Sequence, residues 1–180
     1  MLTTEQRAVL AADIAADGAF TALPHNTDGA YEIAAAYNAP ANPAFYVWRT
    51  NASTADIYDA ITWASLTPSD TPDGTALYTN RALQCQAKQI NLQIMLQGQQ
   101  QINAAKLKVR QGLTDALQNV PAGAGGALLD AGWTTVKQAL YRPATRLEKL
   151  FAVGAGTTGV PATMAIEGAI SYQEVNEARG

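Results

Sequence analysis

Few residues of this 180-residue chain are of the types that carry chemistry. It has one histidine, His25, which follows Pro24, and one cysteine, Cys85. A Ser–His or Cys–His nucleophile needs a base that a third group orients, and no motif places such partners around His25. One histidine and one cysteine leave only carboxylates as metal ligands, and no acidic loop has the spacing of a calcium loop. We therefore predict that the protein is not an enzyme and has no catalytic residue, metal or cofactor.

Three further motifs resemble sites only in part. Asp13 and Asp17 lie four residues apart on one helix face, which is more typical of a solvated face than of an acid–base pair. Residues 121–126 (PAGAGG) are rich in glycine, but a phosphate-binding loop follows a strand and ends in Gly-Lys-Ser/Thr, so we predict a flexible connector. Residues 51–53 match a glycosylation acceptor. We do not predict glycosylation there, because we predict neither an export leader nor a membrane span.

The longest run of helical periodicity, residues 79–151, contains the element around which we expect the chain to be organised. One apolar stripe recurs there at spacings of four, three and four residues: Leu83, Ala87, Ile90 and Ile94. A second stripe beside it consists of Cys85, Leu92 and Leu96. A helix that is apolar on more than one face is surrounded by other helices or by neighbouring subunits, so we predict multimeric packing and a buried, inert Cys85.

Apolar repeats in the rest of this run predict two or three further helices, within residues 102–120, 129–140 and 147–151. The N-terminal third contains short capped helices and one β-prone segment, residues 45–48, before a turn-rich loop. The fold class predicted is mainly α, a helical bundle with short β segments and an extended C-terminal arm. We expect one helical domain over residues 1–153.

Charge divides this domain into an acidic N-terminal part, residues 1–78, and a basic helical core, residues 79–153. The first has nine acidic and two basic residues, and the second has three acidic and nine basic residues. Such blocks can complement each other within a subunit or between subunits, and we place Lys106, Lys108 and Arg110 in a subunit interface. We expect most of these charges to lie on solvated helix faces. Nucleic-acid binding is disfavoured because the basic residues are spread over several helices without aromatic residues among them.

The last residues, 154–180, are predicted to form a C-terminal arm on a glycine-rich hinge. We expect a strand up to Ile170 and a helix after Ser171, where Glu174 completes a capping box. Ile170, Tyr172 and Val175 are too few to build a core by themselves. They are therefore the predicted partner-docking residues, which become buried on another chain.

Several segments carry a resemblance to a known family. They are residues 10–17 (LAADIAAD), 34–40 (AAAYNAP), 46–50 (YVWRT), 142–152 (RPATRLEKLFA) and 167–175 (EGAISYQEV). Together they resemble a family of tailed-bacteriophage proteins that are encoded among the capsid and tail genes. The resemblance covers both ends of the chain, and the middle helices contribute less to it.

This resemblance implies a virion structural protein, a head–tail adaptor located at the head–tail junction and assembled in the host cytoplasm. Its expected partners are copies of itself in a ring of twelve, the portal protein and tail or nozzle proteins, with passing contact to packaged DNA and no membrane. No catalytic residue comes with the family. The alternatives are another virion component, such as a tail-completion or capsid-decorating protein, and an enzyme or nucleic-acid-binding module.

Overall fold

The computed structural model describes residues 2–180, and it confirms the predicted mainly α fold. The described part of the chain contains nine α-helices: α1 Thr4–Ala16, α2 Gly18–Thr21, α3 Thr27–Asn38, α4 Thr54–Ala60, α5 Ala76–Leu96, α6 Leu107–Leu117, α7 Trp133–Leu140, α8 Arg146–Phe151 and α9 Tyr172–Arg179. Its four short strands are β1 Tyr46–Trp48, β2 Ala52–Ser53, β3 Gln101–Ile102 and β4 Tyr141–Pro143. Two turns of 3₁₀-helix, Trp63–Leu66 and Ala124–Gly126, complete the regular structure.

The chain forms two compact units. A terminal unit comprises the residues up to Val47 together with Pro143–Gly180, and a central unit comprises Trp48–Arg142. This differs from the predicted division into a domain of residues 1–153 and an arm of residues 154–180. The charge boundary at residue 78 also falls inside the central unit rather than between units, because a change in charge along the chain does not show which apolar faces pack together.

The core of the terminal unit joins helices from both ends of the sequence. Leu10 of α1, Ile33 and Tyr37 of α3, Leu147 of α8 and Val175 of α9 belong to one buried cluster. Capping boxes at Thr3, Thr145 and Ser171 begin the helices α1, α8 and α9, each with a Glu or Gln at the third helical position. These local signals explain where the helices begin, and the shared apolar cluster explains why they pack together.

The C-terminal residues are held by the beginning of their own chain. Asn38 donates to the carbonyl oxygen of Ile170 over 2.9 Å and accepts from its amide over 2.8 Å. Glu174 accepts from the amide of Leu2 over 3.0 Å. The guanidinium of Arg179 donates to the carbonyl oxygens of Leu23 and Pro24, over 2.9 and 3.0 Å.

The predicted docking residues therefore do not lie on an extended arm. Ile170 and Val175 are buried in the core of the terminal unit, and the ring of half-buried Tyr172 stacks on that of Tyr31 at a centroid distance of 4.2 Å. This corrects the expectation that these three residues become buried only on another chain, because α1 and α3 provide the missing apolar partners. The helix after Ser171 is confirmed. The strand expected from Thr163 up to Ile170 does not form, since Thr163 makes only an isolated antiparallel bridge with Val153 and residues 164–170 form no strand.

The core of the central unit is formed by α4, α5, α6 and α7. Cys85, Leu92 and Leu96 of α5 belong to its buried cluster, together with Leu113 of α6 and Val136 of α7. The strands β2 and β3 pair in antiparallel fashion beside this core, with Ala52 opposite Ile102 and Ser53 opposite Gln101. No helix among residues 2–180 is long and apolar enough to span a membrane.

Candidate subunit interface

The inner side of α5 is attached to the central unit by apolar packing. Cys85, Leu92 and Leu96 are each at most 1% exposed. Burial raises the pKa of the Cys85 thiol and keeps it in the unreactive neutral form, which confirms the prediction of a buried cysteine. One of the two apolar stripes seen in the sequence is therefore part of the core.

The other stripe remains on the surface. Leu83, Ile90 and Ile94 are 58%, 44% and 64% exposed, and Ala87 between them is exposed as well. We call these four residues the α5 stripe. They share one helix face over about 16 Å, at the usual rise of about 1.5 Å per residue. Within the described chain, the central unit does not cover this face, so it is the best candidate for contact with another protein surface.

The two cations of α5 both point to the inner side. Arg81 forms a two-pronged ion pair with Asp70, over 2.7 and 3.2 Å, and also donates to the carbonyl oxygen of Gly123 over 3.2 Å. The hydrogen bonds from Arg81 lower the pKa of the Asp70 carboxyl. Lys88 donates to the carbonyl oxygens of Asp115 and, over 3.0 Å, Gln118. These contacts fix the rotation of α5, and with it the direction in which the stripe faces.

The predicted interface cations divide into two kinds. Arg110 donates to the carbonyl oxygens of Ala104 and Ala105 over 2.6 and 2.8 Å, and its guanidinium lies 4.5 Å from the ring centre of Trp48. Burial lowers its pKa, and its charge is used within its own unit. Lys106 and Lys108 are exposed near the start of α6. Their part in a subunit interface stays a prediction.

A groove of about 640 Å³ lies at the C-terminal end of the α5 stripe. Its walls include Ile94, Met95, Gln99, Ile102, Lys106 and Val109. Met95 fills the space beside Gly112 of α6, where a Cβ atom would lie 2.8 Å from the terminal methyl carbon of Met95. The lack of a side chain at position 112 therefore leaves room for the end of the Met95 side chain. Because Ile94 belongs to both features, the groove extends the α5 stripe toward Lys106.

The other residues considered for chemistry belong to the terminal unit. His25 is exposed in the loop before α3. Asp13 and Asp17 accept hydrogen bonds from Arg146 over 3.2 and 2.9 Å, and Asp13 also accepts one from the hydroxyl of Tyr37 over 2.5 Å. The two carboxylates thus bind an arginine rather than only water. Sequence reasoning missed this cluster because Arg146 lies far along the chain from both carboxylates.

The cation in this cluster also packs against aromatic rings. The guanidinium carbon of Arg146 lies 4.5 Å from the ring centre of Phe20 and 4.9 Å from that of Tyr37. Burial, the hydrogen bond to Asp13 and the negative charge of that carboxylate raise the pKa of the Tyr37 hydroxyl. We interpret the cluster as a connection between α1, α3 and α8 within the terminal unit. In residues 2–180, no group of three or more His, Cys, Asp or Glu side chains has the arrangement of a metal site.

Comparison with known proteins supplies no relative. The chain matches no protein-family model, no curated protein and no solved structure.

Proposed function

We propose that this protein is a structural assembly subunit of a tailed bacteriophage. It associates with copies of itself in a ring, as a head–tail adaptor beneath the portal. The observation that carries the self-associating role is the α5 stripe, whose large aliphatic side chains are left about half exposed. The place in the virion rests on the sequence resemblance described above.

The energetics favour association. Burying a Leu or Ile side chain completely is worth about 1.5–3 kcal/mol, so the exposed parts of Leu83, Ile90 and Ile94 represent about 1 kcal/mol each. A neighbouring surface that covers them recovers this free energy once per copy. When every copy is covered in this way, no stripe remains exposed.

A structural role also agrees with the residues that could act chemically. The thiol of Cys85 is buried with a raised pKa, and the carboxylates of Asp13 and Asp17 are bound to Arg146. The terminal unit has nine acidic and four basic residues, whereas the central unit has six acidic and eight basic residues. This difference favours contacts in which the terminal unit of one copy meets the central unit of another.

The test combines solution mass with location in the particle. The triple variant Leu83→Gln, Ile90→Gln, Ile94→Gln should remain folded but lose the oligomers that the unchanged protein forms, as measured by light scattering after gel filtration. The matched control is Val160→Gln, a substitution at a side chain that is 61% exposed in the terminal unit.

A reconstruction of the virion then tests the position. A ring between portal and tail supports the adaptor role, while copies on the capsid surface or at the end of the tail would favour the alternative virion component. Finding the chain as isolated monomers in particles would contradict the whole proposal.

A further inference from the structure

The outer side of α5 is unusual in its chemistry as well as in its exposure. Within α5, which is described over its whole length, every exposed residue is uncharged: Ala, Leu, Ile, Thr, Asn or Gln. Helix faces that contact water normally carry Lys, Arg, Glu or Asp opposite the apolar side. A helix of 21 residues without a charge on its outer side is therefore not built as a solvated surface.

The flanks of the α5 stripe consist of side-chain amides. They are Asn80, Gln84, Gln86, Asn91 and Gln93, all exposed. Each amide has a donor and an acceptor, so a flank of this kind can pair with an identical flank in either direction. A flank of like charges could not pair in this way, because it would repel the identical flank of a second copy.

We propose that the occupant of the α5 stripe is the α5 stripe of a second copy of this chain. The proposal rests on the self-association proposed above and names one of its contact surfaces. Contact between identical faces joins copies in pairs, so a ring also needs a second contact, for which the charges favour the terminal unit of one copy and the central unit of another. The absence of charge favours a second copy over a charged partner protein. A charged partner could form no ion pair with this face, whereas an identical face is not repelled and carries matching amide groups. The two cations of α5 do not interfere, because Arg81 and Lys88 are held on the inner side by their own chain.

Charge exchange at Ala87 tests this contact. Ala87 is exposed near the middle of the stripe, so it lies close to the second stripe whether the two helices run parallel or antiparallel. Ala87→Lys and Ala87→Glu place like charges across a self-contact, and each variant alone should be at least tenfold weaker in association than the unchanged chain. An equal mixture of the two variants should associate again, more strongly at low salt.

The controls separate this inference from the proposed ring. Lys and Glu are good helix formers, so circular dichroism should show both variants folded. Val160→Lys and Val160→Glu, alone or mixed, should leave association unchanged. Oligomers that persist in both separate Ala87 variants, or that fail to return in the mixture, would overturn the pairing of stripes while leaving a ring built through another surface intact. Restoration in the mixture as a dimer without rings would support the pairing and contradict the ring.

Discussion

Both α9 and α5 were expected to contact another chain, and they differ in what their own chain supplies. Val175 of α9 is fully buried between α1 and α3, although α9 itself is short and polar. Ile94 of α5 remains 64% exposed, although α5 is the longest helix. The amount of apolar surface on a segment therefore does not decide whether it needs a partner. What decides is whether another part of the same chain has a complementary apolar face.

The largest expected effect is at α9. Val175→Asp places an unpaired carboxylate in the core of the terminal unit and should lower the free energy of unfolding of that unit by about 4 kcal/mol or more. Urea unfolding monitored by circular dichroism measures it. Asn176→Asp is the control, since it adds the same charge one residue later at an exposed position and should change stability by less than about 0.5 kcal/mol. Equal effects of both substitutions would show that α9 is an arm and not part of the core.

A smaller effect is expected when the two sides of α5 are compared directly. Leu92→Ala removes a fully buried side chain and should cost about 2–5 kcal/mol of unfolding free energy. Ile90→Ala, half a turn away on the outer side, should cost less than about 1 kcal/mol in the monomer and should instead weaken self-association. Denaturant unfolding at low protein concentration, followed by light scattering at high concentration, separates the two. A large loss of monomer stability from Ile90→Ala would mean that the stripe is covered by its own chain.

The smallest effect on stability is expected at the ion pair between Arg81 of α5 and Asp70. The folded-state pKa of Asp70 is lowered by hydrogen bonds from Arg81, so its contribution to stability is present above the unfolded value of about 3.9. That contribution is lost as the pH falls through the folded value. Asp70→Asn should therefore be less stable than the unchanged protein at pH 6, and the difference should shrink below about pH 4. A difference that does not depend on pH would assign the effect to packing rather than to the ion pair.

Much of the local structure was predictable because its causes are local. Capping signals predicted short helices in the N-terminal third, and the capping box at Ser171 predicted where α9 begins. The two apolar stripes of residues 83–96 predicted a long helix and a buried Cys85. The four residues of the candidate interface form one of those stripes, but the sequence did not show which of the two stays exposed.

The long-range arrangement was not predictable from these signals. Asn38 and Ile170 bond to each other across 132 residues, and Arg146 reaches Asp17 across 129 residues. Neither pair has a spacing that marks it in the sequence. The assignment of residues 154–180 to an arm failed for this reason, since the partners of Ile170 and Val175 lie at the opposite end of the chain.

By itself, the amino-acid sequence determined the mainly α fold, the start of α9 and the presence of two apolar faces on α5. Only the tertiary structure decided which of those faces is inside. Both stripes are apolar, so hydrophobicity does not rank them. The inner stripe packs against the apolar core of the central unit and shares its side of α5 with Arg81 and Lys88, which bind Asp70 and main-chain oxygens there. Leu83, Ile90 and Ile94 lie on the opposite side and face outward.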